Sequence, residues 1–283
     1  MNRRQFVRNS SLFAAGAALG LNDLTTKPIK NFGIQLYTLR DIIGNDTKGV
    51  LKSLASFGYT QIEGYEGPKG LFWGMSNKEF KSYTDSLGLT MVSSHFDMAK
   101  EDMEMKAAQA GEIGMKYLIC PYIGKQKTLD DYKVMADKFN KAGEVCKKNG
   151  LRFAYHNHGY SFEWQDGQYG QDILMQNTDP ALVDFEMDIY WVRTAGADAE
   201  AWLKKYPKRW TLCHVKDRGK NFKEGDGDAS VTLGTGTIEF NRILKTAKSV
   251  GMKYYIVEQE RYDNTTSLKA SEDNAAYMRK LSI

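Results

Sequence analysis

Four histidines occur in the chain: His95, His156, His158 and His214. His95, His156 and His214 each fall at the end of a short apolar run, and His158 lies just beyond one of them. Carboxylates close two further runs, Asp188 in Asp-Phe-Glu-Met-Asp and Glu258 in Tyr-Tyr-Ile-Val-Glu. Histidine, aspartate and glutamate at one rim of a parallel barrel are the side chains a metal site needs. Other runs also end in polar groups: Gln35 and Tyr37, Glu63, Lys216 after His214, and Glu260 after Glu258. Burying a polar group without a partner is costly, so this recurrence points to water, a metal or a ligand at one rim. Each residue alone has a blander reading. A histidine at a strand end is more often a hydrogen-bonded core residue. Glu63 could pair with Arg40 or a lysine, and Lys216 with Glu186 or Asp217. Trp73, Trp164 and Trp191 are either ordinary packing or a wall on which a sugar ring stacks.

The elements that would hold these residues repeat along the chain. Apolar runs at 31–37, 59–63, 89–95, 116–121, 151–156, 182–188, 210–216 and 253–258 alternate with helical patterns at 47–57, 77–87, 101–113, 129–148, 197–205, 238–250 and 268–281. In the first helix Val50, Leu51, Leu54 and Phe57 share a face. Several helices stop at a glycine (Gly58, Gly88, Gly114, Gly150, Gly251), a residue that takes the left-handed conformation past a helix end at little cost. Strand-then-helix units predict a parallel sheet with helical crossovers, and eight of them are the number that closes a barrel. A doubly wound sheet would usually carry Gly-x-Gly-x-x-Gly after its first strand. Here that place reads Thr38-Leu39-Arg40-Asp41. The expected fold is a single-domain α/β protein, a (β/α)8 TIM barrel over residues 27–283. Its longest irregular stretches, 64–76, 159–170 and 217–236, follow strands, on the face where barrel active sites lie.

At 283 residues the chain suits one such barrel, and 42% hydrophobic residues supply its core. The 39 basic and 35 acidic residues are interspersed, so no nucleic-acid partner is expected. Cys120, Cys146 and Cys213 match no disulfide framework or zinc knuckle; Cys120 and Cys213 read as small core residues. Residues 1–26 are expected to lie outside the fold as an export signal. Arg3-Arg4 and Phe6 precede a short apolar segment at 11–21 that resembles a twin-arginine signal, which implies a periplasmic protein. The segment is too short to span a bilayer, so no stable membrane anchor is expected.

Five segments resemble the xylose isomerase-like barrel superfamily, also known as sugar phosphate isomerases/epimerases: Gly33-Ile-Gln-Leu-Tyr37, Ala154-Tyr-His-Asn-His158, Phe185-Glu-Met-Asp-Ile-Tyr-Trp191, Cys213-His-Val-Lys-Asp217 and Ile256-Val-Glu-Gln-Glu260. Leu233-Gly-Thr-Gly-Thr237 matches the turn such proteins carry after the seventh strand. The resemblance covers about residues 31–281. It implies a divalent metal (Mn, Zn, Co or Mg) held by His156, Asp188, His214 and Glu258. It also implies Glu258 as the catalytic base, His156 or His158 as the second choice, and Lys216 as a donor to a substrate oxygen. Gln35, Tyr37, Glu63, His95, His158, Trp191 and Glu260 are the expected substrate-binding residues. Many members have Glu where this chain has His156, which puts a two-carboxylate proton shuttle in doubt and raises the case for elimination. The expected activity is a sugar isomerase or epimerase acting on a free sugar or keto-sugar. The alternatives are a keto-sugar dehydratase or hydratase resembling inosose dehydratases, and a non-catalytic sugar-binding barrel. An endonuclease-like role needs more ligands than the sequence offers. A homo-oligomer is left open.

Overall fold

The computed structural model describes residues 27–221 and 227–283. Residues 1–26, where the export signal is expected, lie outside the described residues. Eight parallel strands close into a barrel: β1 (Gly33–Gln35), β2 (Gln61–Tyr65), β3 (Thr90–His95), β4 (Tyr117–Cys120), β5 (Arg152–His156), β6 (Val183–Asp188), β7 (Trp210–Val215) and β8 (Tyr254–Val257). Each strand pairs with its neighbours in sequence, and β1 closes the ring against β8 through Gly33↔Ile256 and Ile34↔Val257. Helices α1 (Thr47–Phe57), α2 (Asn77–Ser86), α3 (Met103–Glu112), α4 (Leu129–Lys148), α5 (Gly170–Asn177), α6 (Ile189–Thr194), α7 (Ala199–Lys205), α8 (Phe240–Ser249) and α9 (Ser267–Met278) provide the outer layer. The single-domain TIM barrel expected from the repeat is therefore the fold. The glycines expected to end helices have positive φ, from 73° at Gly88 to 109° at Gly251. Cys120, Cys146 and Cys213 are buried and unpaired. No helix among the described residues is long and apolar enough to cross a membrane.

Side chains alternate along a strand, so one set faces the helices and the other the barrel interior. Tyr117, Ile119, Ala154 and Leu212, with Tyr254 against them, form a small apolar cluster of their own, separate from the main core. Further along the same strands the positions two residues on are polar: His156, His214 and, in β6, Glu186 and Asp188. The interior thus changes from apolar to ionisable towards the carboxyl ends of the strands. The ladder shifts register at two places, between Ile62 and Glu63 in β2 and between Phe185 and Glu186 in β6. In each case the extra residue belongs to the neighbouring strand, Val92 in β3 and Thr211 in β7, opposite a carboxylate that enters the interior.

Four details depart from the sequence expectations. β1 is shorter than 31–37, because the Gln35 side chain accepts from the Tyr37 backbone N–H at 3.0 Å and turns the chain into a 3-10 helix at Leu36–Leu39. β2 runs to Tyr65, which places Glu63 in mid-strand rather than at the end. The helix α5 was not expected. Its residues Gly170 to Met175 are all buried, so it lacks the polar face on which helical periodicity depends. Helix α6 was also not expected. It starts where the Asp188 carboxylate accepts from the Trp191 N–H at 3.0 Å, an N-cap directly continuous with a strand.

Candidate active site

Asp188 divides its two oxygens between structure and site. Oδ1 caps α6, while Oδ2 is buried without a hydrogen-bond partner. Around Oδ2 stand His156 Nε2 at 3.7 Å and His214 Nδ1 at 3.9 Å. Glu258 Oε2 lies 3.2 Å from the same His214 nitrogen. Two atoms bound to one divalent ion at about 2.0–2.2 Å are themselves roughly 3–4 Å apart, and these spacings match. Asp188, His214 and Glu258 offer ligand atoms all within 4.8 Å of one another. His95, His156, Glu186 and His214 form a second such group that shares His214 with the first, and this buried set of imidazoles and carboxylates fits a divalent cation. Mixed nitrogen and oxygen donors suit Mn, Zn or Co better than Ca.

The far nitrogen of each histidine is held by a deeper carboxylate. His156 Nδ1 is 3.1 Å from Glu186 Oε2, and His214 Nε2 is 2.7 Å from Glu63 Oε1. Fixing one imidazole nitrogen in this way sets the tautomer and aims the other at the metal position. Glu63 is held in turn by Gln35 Nε2 at 2.8 Å and Ser93 Oγ at 2.6 Å. His95 Nε2 lies between the two carboxylates, 3.2 Å from Glu63 Oε1 and 3.1 Å from Glu186 Oε2. Glu186 was missed as a site residue in the sequence reading. Its signal was its place two residues before Asp188, which puts both on one face of β6. Gln35 and Glu63, expected to touch substrate, instead lie fully buried beneath the histidines.

The protonation pattern follows from crowding anions in a dry place. Burial raises Asp188 to about 7, and burial together with Glu63 raises Glu186 to about 7. Burial alone would lower His95 and His214, but the carboxylates outweigh it, bringing His95 to about 9 and His214 well above the usual imidazole range. His156 and His158 stay neutral: burial and nearby cations hold His156 well below its ordinary value and His158 at about 3. Burial would raise Glu258, but Lys216 and His214 outweigh it and keep it firmly ionised. The site therefore demands positive charge.

Above the floor opens a cavity of about 480 Å³, within the usual range for small-molecule sites. Tyr37, His95, His156, His158, Trp191, Glu258 and Glu260 line it, together with Tyr65, Phe96 and Tyr122. Lys216 does not line it. The ammonium is fully buried behind the wall, 3.3 Å from Glu258 Oε2, 2.7 Å from Asp228 Oδ2 and paired with Glu260. The expectation that it donates to substrate is corrected on that ground, because three carboxylates occupy its donors. Trp73 is buried against Tyr65 at 5.0 Å and is a packing residue. Arg40 donates to the Glu260 carbonyl at 2.8 Å rather than pairing with Glu63.

The loop after β7 is clasped at its base. Asp217 accepts backbone N–H groups from Arg218 at 2.8 Å, Gly234 at 2.9 Å, Gly236 at 3.0 Å and Ile238 at 3.1 Å. A Cβ on Gly236 would lie 2.3 Å from Asp217 Oδ1, which explains the Gly-x-Gly turn.

Residues 51–281 match a family described as xylose isomerase-like TIM barrel. An inosose dehydratase of Clostridium perfringens is 28% identical over 146 residues, 47% of this chain and 48% of that protein. The match thus spans about half the length of such curated relatives. The crystal structure of a sugar phosphate isomerase/epimerase from Parabacteroides distasonis superposes with a TM-score of 0.72 at 30% identity, covering 91% of this chain and 96% of its own. An IolI protein solved with a zinc atom gives 0.71 at 16% identity, over 87% and 95% of the two chains, a likeness of fold.

Proposed function

The chain belongs to the xylose isomerase-like TIM barrel family, and on that premise we propose that it is a divalent-metal-dependent enzyme that isomerises or epimerises a free sugar or keto-sugar. The observation that carries this reading is the unpartnered Asp188 Oδ2 among His156 Nε2, His214 Nδ1 and Glu258 at the foot of an aromatic-walled cavity. A divalent cation held by those four residues supplies Lewis-acid polarisation of a substrate carbonyl.

The residues of the chain do the rest. Glu258 reaches the cavity as an ionised carboxylate and takes the proton next to the carbonyl, an effect worth about 10²–10⁴-fold. His158, neutral and with Nδ1 unpartnered, can hold or return a proton at that atom on the β5 side. Tyr37, Tyr65 and Trp191 present ring surface to the apolar faces of a sugar, and Glu260 accepts from a hydroxyl.

A dehydratase is the second reading. Support for it comes from the inosose dehydratase relatives and from imidazole at His156 where paired carboxylates would serve an epimerase. In that case His158 would take the proton next to the carbonyl at Nδ1 and pass it to the departing hydroxyl, which leaves as water. Proton NMR in D₂O, with metal-loaded enzyme and a panel of free and 3-keto sugars, separates the readings. Solvent deuterium entering the product without change of connectivity supports isomerisation or epimerisation. Loss or gain of water across a C=C bond supports the lyase. No exchange with any sugar sinks both.

A further inference from the structure

Trp164 is 65% exposed, and the chain spends structure on keeping it so. It sits in a two-residue hairpin, Trp164–Gln165 against Gln168–Tyr169, turned by Asp166 (φ 46°) and Gly167 (φ 86°). Its ring packs edge-on against Tyr169 at 4.8 Å. The loop after β4 is tied to this hairpin: the Gln165 amide donates to the Lys127 carbonyl at 2.5 Å, and Lys125 pairs with Glu163. Between the two loops lies a second cavity of about 440 Å³, lined by Lys125, Gln126, Tyr132, Tyr160, Glu163 and Trp164 among others. An aromatic platform with amide, ammonium and carboxylate groups around it can stack on the apolar face of a pyranose while bonding its hydroxyls.

This cavity adjoins the active site through one aromatic partition. Tyr122, 63% exposed, lines the active-site cavity and packs edge-on against both His158 at 5.2 Å and Tyr160 at 5.6 Å. His158 belongs to the active-site wall and Tyr160 to the second cavity, and their rings stack at 5.7 Å. The Tyr160 hydroxyl accepts from the Ile123 N–H at 3.2 Å, which fixes the loop carrying Tyr122. The Tyr122–Tyr160 ring pair joins the lining of the active-site cavity to that of the cavity at Trp164. A single ring held over Glu258 would have no use for that platform.

We propose that the cavity at Trp164 is a second sugar subsite, so that the substrate class is a disaccharide or other glycoside whose reacting ring lies over Glu258. This rests on the sugar-enzyme reading above. The test is titration calorimetry of the metal-loaded full chain with glucose, maltose and cellobiose, each as the free sugar and its 3-keto form, for wild type, Trp164→Ala and Trp164→Phe. The expected result is disaccharide binding about tenfold tighter than that of the matching monosaccharide. Trp164→Ala should erase that advantage, Trp164→Phe should keep part of it, and monosaccharide affinity should be unchanged in both. Monosaccharides binding as well as disaccharides, or an advantage that survives Trp164→Ala, would overturn the subsite while leaving the sugar reading intact. Failure of every sugar to bind would overturn both. A Trp164→Ala protein that changes oligomeric state by light scattering would instead assign the exposed tryptophan to contact between copies of the chain.

Discussion

Glu258 stands between the His214 ring at 3.2 Å and the Lys216 ammonium at 3.3 Å, and still faces the cavity. Glu258→Gln keeps its volume but cannot accept the proton, so exchange of the carbon-bound proton with D₂O should fall at least about 10²-fold, read by NMR. His156→Ala should act mainly through the metal and be partly rescued by excess Mn or Zn. The reverse pattern, with exchange retained in Glu258→Gln and none in His156→Ala at saturating metal, would make histidine the base. Glu186 touches His95, His156 and His214 with one oxygen. Glu186→Leu should weaken Mn or Zn binding about 10–100-fold by calorimetry, since the imidazoles lose the acceptor that orients them. An unchanged affinity would remove Glu186 from the site. His156, Asp188, His214 and Glu258 were legible in the sequence because each ends a strand at the same rim. Glu186 was not, because it lies inside a strand in which every neighbour is also buried; Glu63 was legible as a polar group at the rim but not as the acceptor beneath the histidines, because its strand runs on to Tyr65.

At the scale of elements, the barrel strands and most helices were legible as alternating runs, and α5 was not, for want of a solvent-facing side. The loops are joined by charges that no periodicity reveals. Glu66, just past β2, accepts from the Asp97 N–H at 3.0 Å and from Lys106 Nζ at 2.8 Å, and also pairs with Lys100. Burial would raise its carboxyl, but these partners outweigh it and bring the group from 4.5 to about 2. A depressed folded value means that the unfolded chain binds the proton first. The contribution of Glu66 is therefore complete above about pH 4.5 and is lost as pH falls towards 2. Glu66→Gln should cost about 1–2 kcal/mol near neutrality, and the gap between the two melting temperatures should begin to narrow near pH 5 and close towards about pH 2. A gap that stays constant from pH 5 down to about pH 2 would show that the charge on Glu66 contributes nothing.

For the whole molecule, a cation bound only by the folded state adds stability by mass action, about 2.7 kcal/mol at a hundred times Kd. For a chain of this size that is a rise in Tm of roughly 5–10 °C with Mn, Zn, Co or Mg, reversed by chelator. No shift with any of the four would sink the metal centre. The proposed export is tested separately: changing Arg3 and Arg4 to lysine should retain the protein in the cytoplasm on fractionation, and undiminished periplasmic recovery would refute the twin-arginine route. The Asp217 clasp bears on how such a chain diversifies. Four backbone bonds fasten both ends of the segment after β7 to one carboxylate, so insertions or deletions between those ends need not disturb His214, provided that Asp228 keeps its pairing with Lys216 and Ser230 its bond to the Glu260 N–H. Lineages can therefore rewrite the rest of that stretch and drift to new substrates while inheriting the chemistry, and Asp217, which does not line the cavity, is the residue such drift would be least free to lose.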